Sequence, residues 1–303
     1  MTARDAFNPP VGVAETLGPG LRRILAPNPS PMTYRGTNTY LLGDSDLAVI
    51  DPGPDDPAHL AAILGVVKPG QRITHILVTH SHLDHSPLAP VLASRTGAPV
   101  LAYGNASAGR SAVMQDLAAA GLARGGEGVD QAFQPDIVLV DKEIIEADGW
   151  RLTAHWTPGH FGNHMSFEWG DVVFTGDIVM GWASSLVSPP DGDLTDFMAS
   201  CRKLQTLSAR TFHSGHGAPI TDPAARLDWL ITHRLTREAS ILGTLANEPG
   251  TVSELTQAIY TDTPPALMHA AGRNVLAHLI DLHGRALVHP NGPLSETAQF
   301  HLA

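Results

Sequence analysis

Residues 73–85 read ITHILVTHSHLDH, an apolar run that changes abruptly into a polar one. The apolar, β-branched part predicts a buried strand, and the polar part predicts the loop that follows it. Residues two apart in an extended or turning segment point to the same side. His80 and His82 can therefore bind one ion while Asp84 and His85 turn towards another. The stretch predicts a metal site at the end of a strand.

Three more candidate ligands follow predicted strands further along the chain, and each lies beside a glycine that lets the backbone turn sharply near an ion. The single cysteine, Cys201, excludes a cysteine-rich metal site, so histidines and carboxylates must hold any metal. Two metal sites that share a carboxylate and water need about seven or eight ligand positions. The sequence supplies seven candidates, which are His80, His82, Asp84, His85, His160, Asp177 and His216.

The composition is that of a folded protein, with 43% hydrophobic and 16% charged residues among 303. The formal net charge of −11 disfavours a protein dedicated to packaging nucleic acid. Residues 1–20 lack a basic stretch followed by an apolar run, and the chain has no run of about 18 apolar residues. We therefore expect a cytoplasmic protein that does not enter a membrane.

Over the first two thirds of the chain, short apolar runs closed by Gly, Pro or Asp alternate with helical stretches. This rhythm predicts an α/β domain over residues 1–220, with two sheets covered by helices. Residues 221–303 differ, because three helical segments and a short strand-like piece give the outline of a small, mainly α, winged-helix-like domain. This second part holds five Arg, no Lys and eight acidic residues. Its charge favours packing, substrate-pocket building or homodimer formation over DNA binding.

The ordered motif His80-x-His82-x-Asp84-His85, with His160, Asp177 and His216 after it, resembles the metallo-β-lactamase superfamily over residues 20–220. The resemblance implies an αβ/βα four-layer sandwich with a dinuclear site at one edge. It implies site one from His80, His82 and His160, site two from Asp84, His85 and His216, and Asp177 as the bridging carboxylate. The segments Gly36–Tyr40 and Asp51–Gly53, with the C-terminal domain, are similar to the β-lactamase-like endoribonuclease branch.

Two divalent ions lower the pKa of a shared water to about 7 and polarise the group under attack. We accordingly expect a hydrolase with two ions per chain, zinc first, although iron and manganese also suit these ligands. Asp84 and Asp177 are the expected catalytic carboxylates, because they offset part of the cationic charge around the bridging hydroxide. The expected substrate is a small-molecule ester, thioester, lactone or amide.

Three alternatives remain open at this point. The resembling branch implies cleavage of single-stranded RNA, which the acidic chain disfavours. A di-iron redox protein is a second alternative, although the chain shows no flavin-binding domain, and a DNA-binding regulator is a third. Candidate substrate-contacting residues lie beside predicted strand ends or near the candidate ligands, and these are Asn38, Tyr40, His164, Trp182, Ser184 and Ser185.

Overall fold

In the computed structural model, which describes residues 7–122 and 128–303, two β-sheets pack face to face. The first sheet has seven strands in chain order, antiparallel from β1 to β4 and parallel from β4 to β7. Its strands are β1 (Glu15–Gly18), β2 (Leu21–Leu25), β3 (Asn38–Leu42), β4 (Asp46–Ile50), β5 (Arg72–Leu77), β6 (Val100–Ala102) and β7 (Ile137–Val138). Helices α1 (Pro57–Gly65), α2 (Leu88–Thr96) and α3 (Ala112–Ala119) lie in the connections between these strands.

The second sheet has five strands in the order β12-β11-β10-β9-β8, with only the β11–β12 pair parallel. Its strands are β8 (Ile144–Ala147), β9 (Trp150–Trp156), β10 (Met165–Trp169), β11 (Val172–Gly176) and β12 (Thr211–Ser214). Helix α4 (Leu194–Gln205) connects β11 to β12. It begins where the Asp193 side chain accepts a hydrogen bond from the backbone N–H of Thr195, which caps the helix N-terminus.

Strand β4 shows why this arrangement has four layers. Its last four residues, 47–50, are apolar at consecutive positions because both faces of the first sheet are covered. Ala48 and Ile50 face the second sheet, whereas Leu47 and Val49 face α1 and α2. On the outer face of the second sheet, residues of α4 pack in the same way, Cys201 among them. The predicted αβ/βα sandwich is therefore confirmed.

The C-terminal part contains α5 (Pro223–Leu245), α6 (Val252–Ile259) and α7 (Met268–Gly284), with a three-stranded sheet of β13 (Gly250–Thr251), β14 (Val288–Pro290) and β15 (Gln299–Leu302). One 3₁₀ turn, Pro265–Leu267, precedes α7. The side chains of Thr251 and Glu254 form a capping box at the start of α6. The winged-helix-like outline is confirmed.

Helix α5 contributes to the packing of both parts of the chain. Near its start, Leu227 and Leu230 join the core formed by α4 and the second sheet. Near its end, Ile241 and Leu245 join the core formed by α6 and α7. The boundary at residue 220 stays a prediction, since the helix that follows it belongs to neither part alone.

Within the described residues, no helix is both long enough and apolar enough to span a bilayer.

Candidate metal centre

The loop after β5 brings its histidines to the edge where the two sheets meet. His80 Nε2 lies 2.9 Å from His82 Nδ1, and His160 Nε2, from the loop after β9, lies 3.2 Å from the same atom. All three rings are buried. Three ring nitrogens from two loops, the set expected for site one, therefore converge on one point.

A second group of ligand atoms meets beside the first. Asp84 Oδ2 lies 3.1 Å from His216 Nε2 and 3.3 Å from His85 Nε2. Asp177 Oδ2 lies 3.2 Å from His216 Nε2, 3.6 Å from His85 Nε2 and 3.9 Å from His160 Nε2. One oxygen of Asp177 thus lies within reach of both groups. The structure brings all seven predicted ligands together.

Hydrogen bonds on the far side of the rings fix which nitrogen faces the centre. His160 Nδ1 lies 2.7 Å from the Leu186 carbonyl oxygen, and His216 Nδ1 lies 3.1 Å from that of Gly36. A carbonyl oxygen only accepts hydrogen bonds, so both rings donate through Nδ1 and turn Nε2 towards the centre. His85 Nδ1 similarly faces the Asp51 carboxylate at 2.9 Å.

The two groups differ in charge. Burial lowers the pKa of His82 to about 3, with His160 adding to the effect, so this ring is neutral. For His216, burial alone would lower the pKa. The carboxylates of Asp177 and Asp84 outweigh this effect and raise the pKa to about 10. Burial raises the pKa of both aspartates, yet the nearby histidines hold it well below its usual range. The carboxylates are therefore ionised and attract positive charge to this position.

Several ligand atoms have no other use in the fold. Asp84 Oδ1, Asp177 Oδ1 and His85 Nε2 are buried and make no hydrogen bond to any part of the chain that the structure describes. Buried polar atoms are normally paired, so such a cluster indicates a ligand. Imidazole nitrogens and carboxylate oxygens are the donor set of zinc and similar divalent ions. The residues present therefore fit a divalent metal.

Close approach of the backbone explains the glycine beside His216. A Cβ atom on Gly215 would lie 2.3 Å from Asp177 Oδ1 and 2.7 Å from His85 Cε1. Both distances are below any real carbon contact, so only glycine allows these ligands to meet.

A cavity of about 220 Å³ opens beside the centre. His82, His160 and Asp177 form one side of it, and the segment after β11 forms another. The C-terminal domain closes it with α7 and the end of α6. The remaining lining residues are Pro31, Met32, Met180, Trp182, Ala183, Ser184, Leu186, Tyr260, Thr263, Leu267, Ala270, Ala271 and Asn274. Trp182 and Ser184 thus line the cavity, and their contact with substrate stays a prediction.

The other four predicted substrate residues do not line this cavity, which corrects the prediction. Asn38 Nδ2 donates to the Gly217 carbonyl at 2.9 Å, and the Tyr40 hydroxyl donates to the Ser214 carbonyl at 2.7 Å. Ser185 Oγ donates to the Ile178 carbonyl at 3.0 Å. His164 Nε2 accepts from the backbone N–H of Asp177 at 3.2 Å. These side chains hold the ligand-bearing loops in place.

Sequence reasoning missed two kinds of residue. Asp51 accepts a hydrogen bond from His85. Its position directly after β4, at the start of the segment Asp51–Gly53, could have indicated this role. The cavity residues of the C-terminal domain, such as Tyr260 and Asn274, had no local signal, because they reach the site only through the packing of the two parts.

Comparison with known proteins agrees with this geometry. A family model described as Metallo-beta-lactamase superfamily matches residues 32–216, and one described as Beta-lactamase associated winged helix domain matches residues 251–292. The chain is 30% identical over 271 residues to the Beta-lactamase-like protein 2 homolog of Caenorhabditis elegans, covering 86% of this chain and 83% of that protein. It is 29% identical over 275 residues to the Atrochrysone carboxyl ACP thioesterase of Aspergillus fumigatus, covering 84% and 78%.

Among solved structures, a metallo-beta-lactamase family protein from Thermus thermophilus superposes with a TM-score of 0.75 at 26% identity. The superposition covers 95% of this chain and 100% of that one, so it includes the C-terminal domain. The motif, the fold and the family match agree, and the chain belongs to the metallo-beta-lactamase superfamily of hydrolases.

Proposed function

We propose that this protein is a dinuclear metal-dependent hydrolase of small-molecule carbonyl compounds, with thioesters and esters preferred over lactones and amides. The observation that carries the proposal is the cavity beside the metal centre. Its walls are largely apolar, and its described lining includes no Lys or Arg. An acyl group suits such walls, whereas a phosphodiester backbone needs cations that this lining lacks. The cavity therefore disfavours the RNA-cleavage alternative.

The chain's own residues divide the work at this site. His80, His82 and His160 would hold one ion, Asp84, His85 and His216 the other, and Asp177 reaches both groups. Two divalent ions there, zinc by the donor set, would polarise the carbonyl under attack and lower the pKa of water to about 7.

The remaining lining residues orient the substrate. Met180, Leu186 and Leu267 offer an apolar surface to the acyl part and exclude water around it. Ser184 offers a hydroxyl in the same cavity. The preference for thioesters is supported by the relative that is named a thioesterase and aligns over 84% of this chain.

Elemental analysis of the purified protein, combined with hydrolysis assays, tests the proposal. An acyl-thioester series, a lactone, a β-lactam and single-stranded RNA are assayed before and after chelation and after zinc repletion. We expect about two zinc ions per chain and thioester hydrolysis that chelation abolishes and zinc restores. His82→Ala should abolish it, whereas His269→Ala, an exposed histidine on α7, should not.

Other outcomes would replace the proposal. Zinc-dependent cleavage of RNA without turnover of any carbonyl substrate would establish the endoribonuclease alternative. Bound iron without hydrolysis would indicate redox chemistry. A chain that binds no metal would show that the seven converging residues are not a metal centre.

A further inference from the structure

The C-terminal domain contacts the segment 185–187, which forms part of the cavity wall. Arg234 of α5 is 2% exposed and donates through Nη1 to Asn274 Oδ1 of α7 at 2.8 Å. Through Nη2 it donates to the Ser185 carbonyl oxygen. Asn274 Oδ1 also accepts the backbone N–H of Val187 at 3.1 Å. Hydrogen bonds from α5 and α7 thus join the C-terminal domain to this segment.

These bonds leave Leu186 fixed between two anchors. Ser185 is held by Arg234, and Val187 is held by Asn274. The Leu186 carbonyl between them accepts the Nδ1–H of His160 at 2.7 Å. Its position therefore sets the plane of the His160 ring and keeps the lone pair on Nε2, the atom that faces His82.

Arg234 uses its hydrogen-bonding geometry here and not an ion pair. Within residues 7–122 and 128–303, no carboxylate lies within 4.0 Å of its guanidinium group. The group instead lies over the ring of Phe197 at 5.0 Å and donates to neutral oxygens. Burying an arginine without a counter-charge is costly, so the contacts it makes must be specific.

We infer that Arg234 and Asn274 are positioning residues for His160, so that the C-terminal domain orients a ligand of the metal centre. The inference rests on the proposed metal site. Partners beyond the metal ligands commonly change metal affinity by about 10- to 100-fold. The effect should fall on one of the two ions, the one held by His80, His82 and His160.

The test compares three variants in the full-length protein. Asn274→Leu keeps a side chain of similar size but removes the oxygen that accepts hydrogen bonds from Arg234 and Val187. Asn274→Asp keeps an oxygen for Arg234 and Val187. Asn247→Leu is the control. It removes a hydrogen bond from a side-chain amide to a carbonyl oxygen of the same helix, like the one from Asn274 to Ala270, but at a position far from segment 185–187. Zinc affinity is measured by competition with a chromogenic chelator.

We expect Asn274→Leu to bind one zinc ion about 10- to 100-fold more weakly and the other unchanged. Asn274→Asp and Asn247→Leu should bind both as the unaltered protein does. Normal affinity for both ions in Asn274→Leu would overturn the inference. So would an equal loss in Asn274→Leu and Asn247→Leu, since that would indicate general destabilisation.

A second measurement needs no metal. The Nδ1–H of His160 should give a slowly exchanging imidazole proton signal in NMR spectra of the metal-free protein, assigned by its absence in His160→Gln. We expect the signal to be lost in Asn274→Leu and kept in Asn274→Asp, and its persistence in Asn274→Leu would overturn the inference. If the unaltered protein bound no zinc, the proposed function would fail while this signal still decided the role of Asn274.

Discussion

Replacing Asp51 with asparagine tests how the fold prepares His85 for metal binding. Asp51 is 2% exposed and accepts three hydrogen bonds, from Thr79 N at 2.7 Å, Thr79 Oγ1 at 2.8 Å and His85 Nδ1 at 2.9 Å. Its backbone has φ of 51°, a conformation that asparagine also adopts. Asp51→Asn therefore changes hydrogen bonding and charge with little change in shape.

The expected loss follows from the tautomer of His85. An asparagine oxygen can still accept from Thr79 N, which places the amide NH₂ towards His85 Nδ1. Two donors then face each other unless the ring proton moves to Nε2, the atom that faces Asp84 and Asp177. That proton would block metal binding. We expect zinc affinity to fall by about 10- to 100-fold, or about 1.4–2.7 kcal/mol.

Chelator competition measures this loss, and urea unfolding of the metal-free protein measures stability separately. We expect stability to fall by about 1–3 kcal/mol, the usual effect of breaking a buried hydrogen bond to a charged group. Asp55→Asn, four positions along the chain and exposed, is the matched control and should change neither quantity. Unchanged zinc affinity in Asp51→Asn would refute the reasoning about the His85 tautomer.

Three further predictions concern the bridging ligand, the cavity and a buried histidine. Asp177→Ala should lose bound metal and hydrolysis together in elemental analysis and thioester assays, because Asp177 reaches both ligand groups; full occupancy with normal turnover would remove it from the site. Ala270→Phe places a ring in the cavity and should lower kcat/KM for long acyl thioesters by about tenfold relative to short ones, and an unchanged chain-length profile would contradict the assignment of the cavity. Burial, with Arg234 and other cations, lowers the pKa of His278 to about 3, so the unfolded chain binds more protons between pH 3 and pH 6.5 and stability falls as the pH falls through that window. His278→Leu should make the decline in the free energy of unfolding shallower, by up to about 1.4 kcal/mol per pH unit, in urea titrations between pH 4 and pH 7, whereas an equally steep decline would contradict the shift.

The metal ligands could be predicted because their signal is local. Four of them lie within the six positions from His80 to His85, directly after an apolar strand, and strand and loop obey short-range rules. The start of α6 has an equally local signal, since the capping box of Thr251 and Glu254 involves residues three apart. The two sheets followed from the rhythm of short apolar runs.

The substrate residues could not be predicted in the same way, because their contacts are between distant parts of the chain. Asn38 lies at a strand end, where a pocket residue is expected, but its side-chain amide donates hydrogen bonds to the carbonyl groups of residues 214 and 217. Arg234 lies in the middle of an amphipathic helix, so its sequence context suggests a solvent-exposed side chain. In the structure it is buried between the two domains. A local pattern gives the type of a residue and not its tertiary partner.

Helix α5 makes truncation of this protein a poor way to study its parts. Cutting the chain at residue 220 would remove Leu227 and Leu230 from the buried core that they share with Phe197 and Phe212. The separated C-terminal piece would in turn present the same helix face to water. We therefore expect the whole chain to unfold in a single cooperative transition, with the winged-helix-like domain inseparable from the sandwich it adjoins.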